Sequence, residues 1–347
     1  MIKRSVSLYS YQQNEFFGWM DWKAQLREIA LNLDGADGVE IINETTIPNY
    51  PCPPEAWIYE WRSELARWGL QAVTMDTFLD TLQFRDHVMT YREAGERIRY
   101  DLELAHKMGF RNMRLCHHTP YQAVEMNLDL AAKYDIIMTN ECDVRSLDLG
   151  HMMGDSIESE IAFIERTKTK HYGLQIDMSQ FQNKPCCIQL RYRFRTAGFS
   201  PERAAEAAED IFQTFEKIGR EATNEYIKEK YPEIAGGPFP ALHMHANPIG
   251  RMYEIIPYLV HMHGKFYEMT EVPGKPGLYE DRALPYEEVF KHLKKSGYNG
   301  YISSEFEGQR SQQDMGLEGL IDEVDQVRKH QQMMKRFIED KHNNTPF

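Results

Sequence analysis

Four apolar segments beyond residue 133 each end at a side chain that can bind a metal ion. The end residues are Glu141, Asp177, His263 and Glu305, and each closes a run typical of a buried strand. In a β/α barrel the carboxyl ends of the strands converge on one mouth, where the active site lies. Oxygen-rich ligation with one imidazole suits Mn²⁺ or Mg²⁺, with zinc as an alternative.

The metal site is predicted from the coincidence of all four positions. Any one of these carboxylates alone would more often be a helix cap or a solvated loop charge. Four such residues at successive strand ends favour a single divalent-cation site, and a chain carrying one is expected to be an enzyme.

Other residues near the predicted mouth could transfer protons or hold a substrate. Because strand side chains alternate between two faces, His261 shares a face with His263. The proton-transfer candidates are Glu141, Glu305, His117, His118, Asp143 and His261. The substrate-binding candidates are Lys265, Gln309 and Arg310. The alternatives are an ordinary pair of loop histidines at residues 117–118 and a structural ion pair at Lys265.

Strand and helix signals alternate along the chain, which predicts an α/β fold, a (β/α)8 TIM barrel spanning residues 1–347 as one domain. The predicted strands are 4–10, 38–42, 70–77, 112–116, 136–141, 173–177 and two that end at His263 and Glu305. The predicted helices are 22–33, 55–69, 91–108, 121–134, 156–167, 285–295 and 317–339.

The spacing between strands breaks after strand six, between residues 178 and 247. Ser200 and Pro201 are typical of an N-cap and a first helical residue, and predict an amphipathic helix that runs to about residue 230. We expect a helical insertion at about 182–246 on the active-site face. A lengthened outer helix is the alternative.

Composition excludes several classes of function. The formal net charge of −13 argues against nucleic-acid binding, and no apolar run is long enough to span a membrane. The first nine residues have a basic start but no apolar stretch, so we expect no signal peptide and a cytoplasmic protein. Five cysteines without metal-binding spacing predict reduced thiols.

The segment from Gly297 to Glu305 and the His263-Gly-Lys265 element resemble the xylose-isomerase-like barrels of the sugar phosphate isomerase/epimerase superfamily. This resemblance covers nearly the whole chain and implies that the four strand-end residues are Mn²⁺ ligands. Ketose 3-epimerases of this fold carry a substrate-binding His and Arg where this chain has Gln180 and Met269. The sugar-binding set of those epimerases is therefore incomplete here.

Five short segments carry a closer resemblance: LYSYQ at 8–12, MDTFLDT at 75–81, DMS at 177–179, HMHGKFYEM at 261–269 and SSEFEG at 303–308. They are similar to segments of the catalytic α subunits of bacterial C-glycoside deglycosidases. The resemblance implies a carbon–carbon lyase that cleaves 3-oxo-C-glycosides of the flavonoid type. It also implies a small-molecule C-glycoside or sugar as substrate and a smaller β subunit in a hetero-oligomer.

The implied lyase chemistry suggests a role for the metal ion and for the proton-transfer candidates of the predicted site. A divalent cation chelated by a sugar carbonyl and its neighbouring hydroxyl would stabilise the enediolate formed on proton loss. Glu141 or Glu305 could take that proton, and one of the other proton-transfer candidates would act on the aglycone. The alternative function is a metal-dependent sugar or sugar-phosphate isomerase or epimerase acting alone. Fold analogy cannot decide between them.

Overall fold

The computed structural model describes residues 1–115, 119–141, 157–236, 242, 244 and 247–340. The strands are β1 (Lys3–Ser7), β2 (Ala36–Ile42), β3 (Gln71–Thr77), β4 (Asn112–Leu115), β5 (Ile137–Glu141), β6 (Tyr172–Asp177), β7 (Leu259–Phe266), β8 (Met269–Glu271), β9 (Tyr279–Asp281) and β10 (Tyr301–Phe306). Eight of them close a parallel barrel in the order β1-β10-β7-β6-β5-β4-β3-β2. The predicted TIM-barrel class is therefore confirmed, and β10 is the predicted strand eight.

Helices surround the barrel and cover its apolar outer surface. They are α1 (Gln12–Phe16), α2 (Trp22–Asn32), α3 (Asn43–Thr46), α4 (Glu55–Trp68), α5 (Tyr91–Met108), α6 (Tyr121–Glu125), α7 (Leu128–Tyr134), α8 (Ile157–Thr167), α9 (Cys187–Thr196), α10 (Pro201–Lys230), α11 (Pro232–Ala235), α12 (Met252–Ile255), α13 (Tyr286–Lys295) and α14 (Glu323–Glu339). The main core lies between this helical layer and the barrel. Within the described ranges, no helix combines the length and apolar character needed to cross a bilayer.

Local sequence signals explain where several helices begin and end. At the start of α5, Thr90 and Glu93 form a reciprocal capping box, which satisfies backbone N–H groups that the first turn leaves open. The helix ends before Gly109, whose φ of 92° is a left-handed conformation that glycine adopts without strain. In α10, the Ser200 side chain accepts a hydrogen bond from the Arg203 backbone N–H, so the predicted N-cap is confirmed.

Three predicted elements differ from the structure. The predicted helix 121–134 is two helices, α6 and α7, and the first strand ends at Ser7 because residues 8–11 turn into a 3-10 helix. The predicted helix 317–339 is wrong at its start. A 3-10 segment, Gly308–Gly319, is interrupted at Gly316, and α14 begins only after its N-cap, Asp322. The antiparallel hairpin of β8 and β9 was not predicted.

Helices α9 and α10 enclose a second, smaller core. Its buried members include Phe194, Ile211 and Ile227, with Leu242 and Met244 from the segment that follows. Gly219, with φ 75° and ψ 179°, breaks the regular helix within α10. A separate small core is what an inserted helical unit would have, but the insertion itself stays a prediction.

The barrel register brings the carboxyl ends of the strands to one level. Asp177 pairs with His263 across β6 and β7, and Glu305 pairs with Lys265 across β10 and β7. Strand pairing alone therefore places these four side chains at the same end of the barrel. The proton-transfer candidates His117, His118 and Asp143 lie outside the described residues.

Candidate metal centre

The four predicted ligands meet at the mouth of the barrel. One donor atom each from Glu141, Asp177, His263 and Glu305 lies within 4.8 Å of the other three. His263 Nδ1 lies 3.0 Å from Glu141 Oε1 and 3.0 Å from Glu305 Oε2. His263 is fully buried, and Asp177 and Glu305 are also buried. Their side chains therefore face one small space and could hold a common cation.

The charge around this space favours a cation. Ion pairs with Arg114, His263 and Lys265 connect six carboxylates around this space, those of Glu40, Asp76, Glu141, Asp177, Glu305 and Glu307. Two buried permanent cations, Arg114 and Lys265, oppose them. Burying carboxylates without compensation is costly, so a divalent cation would offset the excess negative charge.

One carboxylate oxygen has lone pairs directed at no hydrogen-bond donor. Glu305 Oε2 lies 2.8 Å from Lys265 Nζ and 3.0 Å from His263 Nδ1, but neither ion contact has the angles of a hydrogen bond. Among the described residues, this oxygen has no hydrogen-bond partner. Such a buried oxygen is a suitable ligand for a hard cation. The donor set therefore fits a hard divalent cation, and its identity as Mn²⁺ or Mg²⁺ stays a prediction.

Lys265 lies inside the carboxylate cluster. Its Nζ is 3.1 Å from Asp177 Oδ2, 2.8 Å from Glu305 Oε2 and 2.9 Å from Glu307 Oε1. Burial lowers the pKa of this ammonium, but the surrounding carboxylates outweigh it and hold the pKa well above its ordinary value. Lys265 is therefore a charged group beside the predicted ligands, and its contacts include the structural ion pairs that the sequence left as an alternative.

The same electrostatics sets the ionisation of the ligands in the cation-free protein. Burial raises the pKa of Asp177 to about 6, although Lys265 opposes this shift. Burial also raises the pKa of Glu305, but His263 and Lys265 outweigh it and lower the pKa to about 2. For His263, burial lowers the pKa, yet Glu305, Glu40 and Glu141 bring it well above the ordinary value.

Arg114 is a site residue that the sequence interpretation missed. It lies in β4, donates to Asp76 Oδ1 at 2.8 Å through Nε, and forms an ion pair with Glu141 through its Nη1. Burial raises the pKa of Glu141, but Arg114 and then His263 outweigh it and hold the pKa well below its ordinary value. A charged residue within a short buried strand was the signal available in the sequence.

A second hydrogen-bonded layer lies below the ligands, inside the barrel. Glu40 accepts hydrogen bonds from the Nε2 atoms of His261 at 2.6 Å and His263 at 2.8 Å. Ser303 Oγ lies 3.1 Å from His261 Nε2 and 2.6 Å from Ser5 Oγ. His261 is 1 % exposed. This position argues against the predicted role of His261 as an acid or base on the aglycone, because a substrate at the mouth could not reach it.

The two other substrate candidates lie after β10. Gln309 is buried, donates through Nε2 to the Phe306 carbonyl at 3.0 Å, and has no hydrogen-bond partner for its Oε1 among the described residues. Arg310 is about half exposed and pairs with Glu307 at 3.0 Å. It also lies over the ring of Tyr9, 5.2 Å from its centroid. Glu307 links Arg310 to Lys265, and substrate binding by Gln309 and Arg310 stays a prediction.

The aromatic residues after β1 form two groups. Phe17 and Trp19 stack at 4.9 Å and are exposed, as is Phe16, whereas Trp22 packs against Trp57 and Trp61. Trp22 therefore belongs to the packing of the helical layer.

No protein-family model matches the chain. The C-glycoside deglycosidase alpha subunit of Arthrobacter globiformis is 24% identical, covering 98% of this chain and 93% of that protein. The 3'-dehydrocarminate deglycosidase alpha subunit of a Microbacterium species is 25% identical, covering 87% of each chain.

A solved structure of D-psicose 3-epimerase superposes with a TM-score of 0.55 at 14% identity, covering 97% of this chain and 99% of that one. This likeness establishes the fold alone. The resemblance predicted from the sequence is confirmed: the chain is similar over nearly its whole length to C-glycoside deglycosidase alpha subunits, and it shares its TIM barrel with D-psicose 3-epimerase.

Proposed function

We propose that this chain is the catalytic α subunit of a C-glycoside deglycosidase. It would be a divalent-cation-dependent lyase that cleaves the bond between sugar and aglycone carbon in 3-oxo-C-glycosides. The observation that carries the proposal is the convergence of Glu141, Asp177, His263 and Glu305 within 4.8 Å at the barrel mouth. The similarity to deglycosidase alpha subunits supports it and selects the substrate class.

The reaction is a β-elimination. It is redox-neutral overall and needs no external oxidant or reductant. A base removes the proton at sugar C2, next to the C3 carbonyl, and the electron pair forms an enolate. The enolate then expels the aryl carbon from C1, leaving a C1–C2 double bond in the sugar. The aryl carbon takes up a proton, and the products are the free aglycone and an unsaturated keto-sugar.

The site residues suit the first half of this sequence. When bound, a divalent cation would supply positive charge to the sugar oxygens. Glu141 and Glu305 are ionised at neutral pH, as a proton acceptor requires, and their lowered pKa values make them weaker bases than an ordinary glutamate. Lys265 holds a full positive charge near the same carboxylates and could donate to the enolate oxygen.

The second half needs an acid close to the aglycone. His261 is too deeply buried for this step. His117, His118 and Asp143, which lie outside the described residues, keep this role as a prediction because they follow β4 and β5 in the sequence. Gln309 and Arg310 are proposed to bind substrate from the segment after β10.

A partner subunit is part of the proposal. The curated relatives are named alpha subunits, which implies that they work with another subunit. We propose a smaller β subunit that assembles with this chain into a hetero-oligomer.

The test is an anaerobic assay of the chain co-purified with its β subunit and loaded with Mn²⁺. With 3-oxo-puerarin as substrate, we expect free aglycone, and in D₂O one deuterium on the ring carbon that carried the sugar. His263→Gln should abolish release, whereas Glu288→Gln, an exposed carboxylate on α13, should not. Absence of aglycone with metal-loaded wild-type complex would reject the proposal. Solvent deuterium in a ketose without bond cleavage would instead support the isomerase or epimerase alternative.

A further inference from the structure

A single buried carboxylate links the predicted metal ligand to the barrel interior. Glu40, in β2, is fully buried, and its two oxygens face two different histidines of β7. Oε2 lies 2.6 Å from His261 Nε2, and Oε1 lies 2.8 Å from His263 Nε2. Both distances are typical of charge-assisted hydrogen bonds.

These contacts define the tautomer of His263. An ionised carboxylate only accepts hydrogen bonds, so Nε2 must carry the hydrogen that points to Glu40. In a neutral imidazole the other nitrogen, Nδ1, then keeps its lone pair. Nδ1 is the atom that lies 3.0 Å from Glu141 and Glu305, so in the neutral form that binds a metal its lone pair is directed into the candidate metal centre.

The amide of Gln175 is consistent with this tautomer once it is turned by half a rotation. Its amide group lies 2.8 Å from His263 Nε2, and the oxygen and nitrogen of a carboxamide exchange places on such a turn. The turned nitrogen would then face Thr139 Oγ1 at 3.1 Å. That hydroxyl can accept it, because its own hydrogen goes to Asn112 Oδ1 at 3.2 Å.

His261 supports Glu40 from the opposite side. It donates to the second carboxylate oxygen and is itself in contact with Ser303, which contacts Ser5. All the side chains in this chain of contacts are buried. The carboxylate of Glu40 therefore has little freedom to rotate, and the imidazole of His263 is held with it.

Glu40, His261 and His263 also have donor atoms close enough to form a second metal site. Their contacts of 2.6 and 2.8 Å already satisfy both oxygens of Glu40 by hydrogen bonding. A hydrogen-bonded support is therefore favoured over a separate buried ion.

We propose that Glu40 is a positioning residue that fixes the orientation and tautomer of His263 and so sets the affinity of the centre for its cation. This inference rests on the proposed metal-dependent function. Carboxylates that hold a ligating histidine in this way typically contribute 10- to 100-fold in metal affinity. Glu40→Gln would lose the effect because a carboxamide can accept from only one of the two histidines.

The experiment is calorimetric titration of chelator-treated protein with MnCl₂. Wild-type protein should bind one equivalent, and Glu40→Gln should also bind one, roughly 10- to 100-fold more weakly. The matched control is Glu28→Gln, which removes a buried carboxylate paired with Arg328 on the outer helical layer and should leave the affinity unchanged. If Glu40→Gln does not fold, Glu40→Asp is measured instead. It keeps the charge but withdraws it by one methylene, and it should also weaken Mn²⁺ binding.

The possible outcomes separate this inference from the proposed function. An affinity of Glu40→Gln within twofold of wild type would overturn the role of Glu40 and leave the metal centre intact. A second equivalent of Mn²⁺ in wild type that Glu40→Gln loses would also overturn it, because Glu40 would then be a ligand. If wild-type protein binds no Mn²⁺, the proposed metal dependence fails and the role of Glu40 fails with it.

Discussion

Replacing Lys265 with methionine tests the electrostatic balance of the site. The ammonium makes three ion contacts of 2.8 to 3.1 Å with carboxylates that are 8 to 18 % exposed. Removing one partner of a buried ion pair leaves uncompensated charge and typically costs about 3–5 kcal/mol. We therefore expect Lys265→Met to lower the free energy of unfolding by about 3–5 kcal/mol at pH 8 in the presence of EDTA.

A divalent cation should reduce the difference in the free energy of unfolding between Lys265→Met and wild type, because it supplies positive charge to the same carboxylates. At 100 times its Kd a ligand that binds only the folded state stabilises it by about 2.7 kcal/mol. Without Lys265 the carboxylates are free of one competitor, so Mn²⁺ should bind at least as tightly as to wild type. We expect a gain in affinity on the order of tenfold, so the stabilisation by Mn²⁺ should exceed that of wild type by about 1.4 kcal/mol.

Urea denaturation followed by circular dichroism, with EDTA or with saturating MnCl₂, measures both quantities. The matched control is Lys291→Met, whose partner Glu287 is exposed on α13, and which should change stability by less than about 1 kcal/mol. The reasoning is refuted if Lys265→Met unfolds like the control in EDTA, or if Mn²⁺ stabilises the variant less than wild type.

Three further predictions concern the ligands and their neighbours. The pKa of Asp177 rises on folding from 3.8 to about 6, so without cation its ionisation should cost the folded protein about 3 kcal/mol of stability as the pH rises from 4 to 7. Asp177→Asn should remove that pH dependence in urea titrations, and an unchanged profile would contradict the prediction. His263→Gln should lower Mn²⁺ affinity at least 10-fold by calorimetry, since it removes one ligand, and equal affinity would refute its assignment. Arg114→Met should destabilise the protein by about 3–5 kcal/mol because Glu141 loses a buried partner. In the same unfolding assay Arg92→Met, on an exposed helical pair, should cost under about 0.5 kcal/mol, and similar values for the two would contradict the prediction.

The positions of the candidate metal ligands could be predicted because strand periodicity and barrel geometry are local and general rules. A residue that ends an apolar strand must lie at the carboxyl edge, and a closed barrel brings all such edges together. For Asp177 and His263 the observed register places the two residues side by side. No knowledge of side-chain contacts was needed for that step.

The supporting contacts could not be predicted in the same way. Glu40 reaches His261 across 221 residues of sequence, and Arg114 reaches Glu141 across a strand pair. Such contacts depend on the strand register and on which rotamer each long side chain adopts. The boundaries of α14 were missed for a different reason, because Gly316 and Gly319 interrupt a polar segment that has no clear helical period.

The structure gives a physical reason why the ketose 3-epimerase pattern fails at Met269. This residue lies in β8 and is 3 % exposed, and its backbone N–H donates to Gln326 Oε1 at 2.7 Å. An arginine side chain at this buried apolar position would need a partner for its charge. Apolar packing therefore fills this position in the hairpin of β8 and β9. The four candidate ligands lie on β5, β6, β7 and β10 rather than in that hairpin, so contacts with a substrate can differ there while the donor set is kept, as the lyase proposal requires.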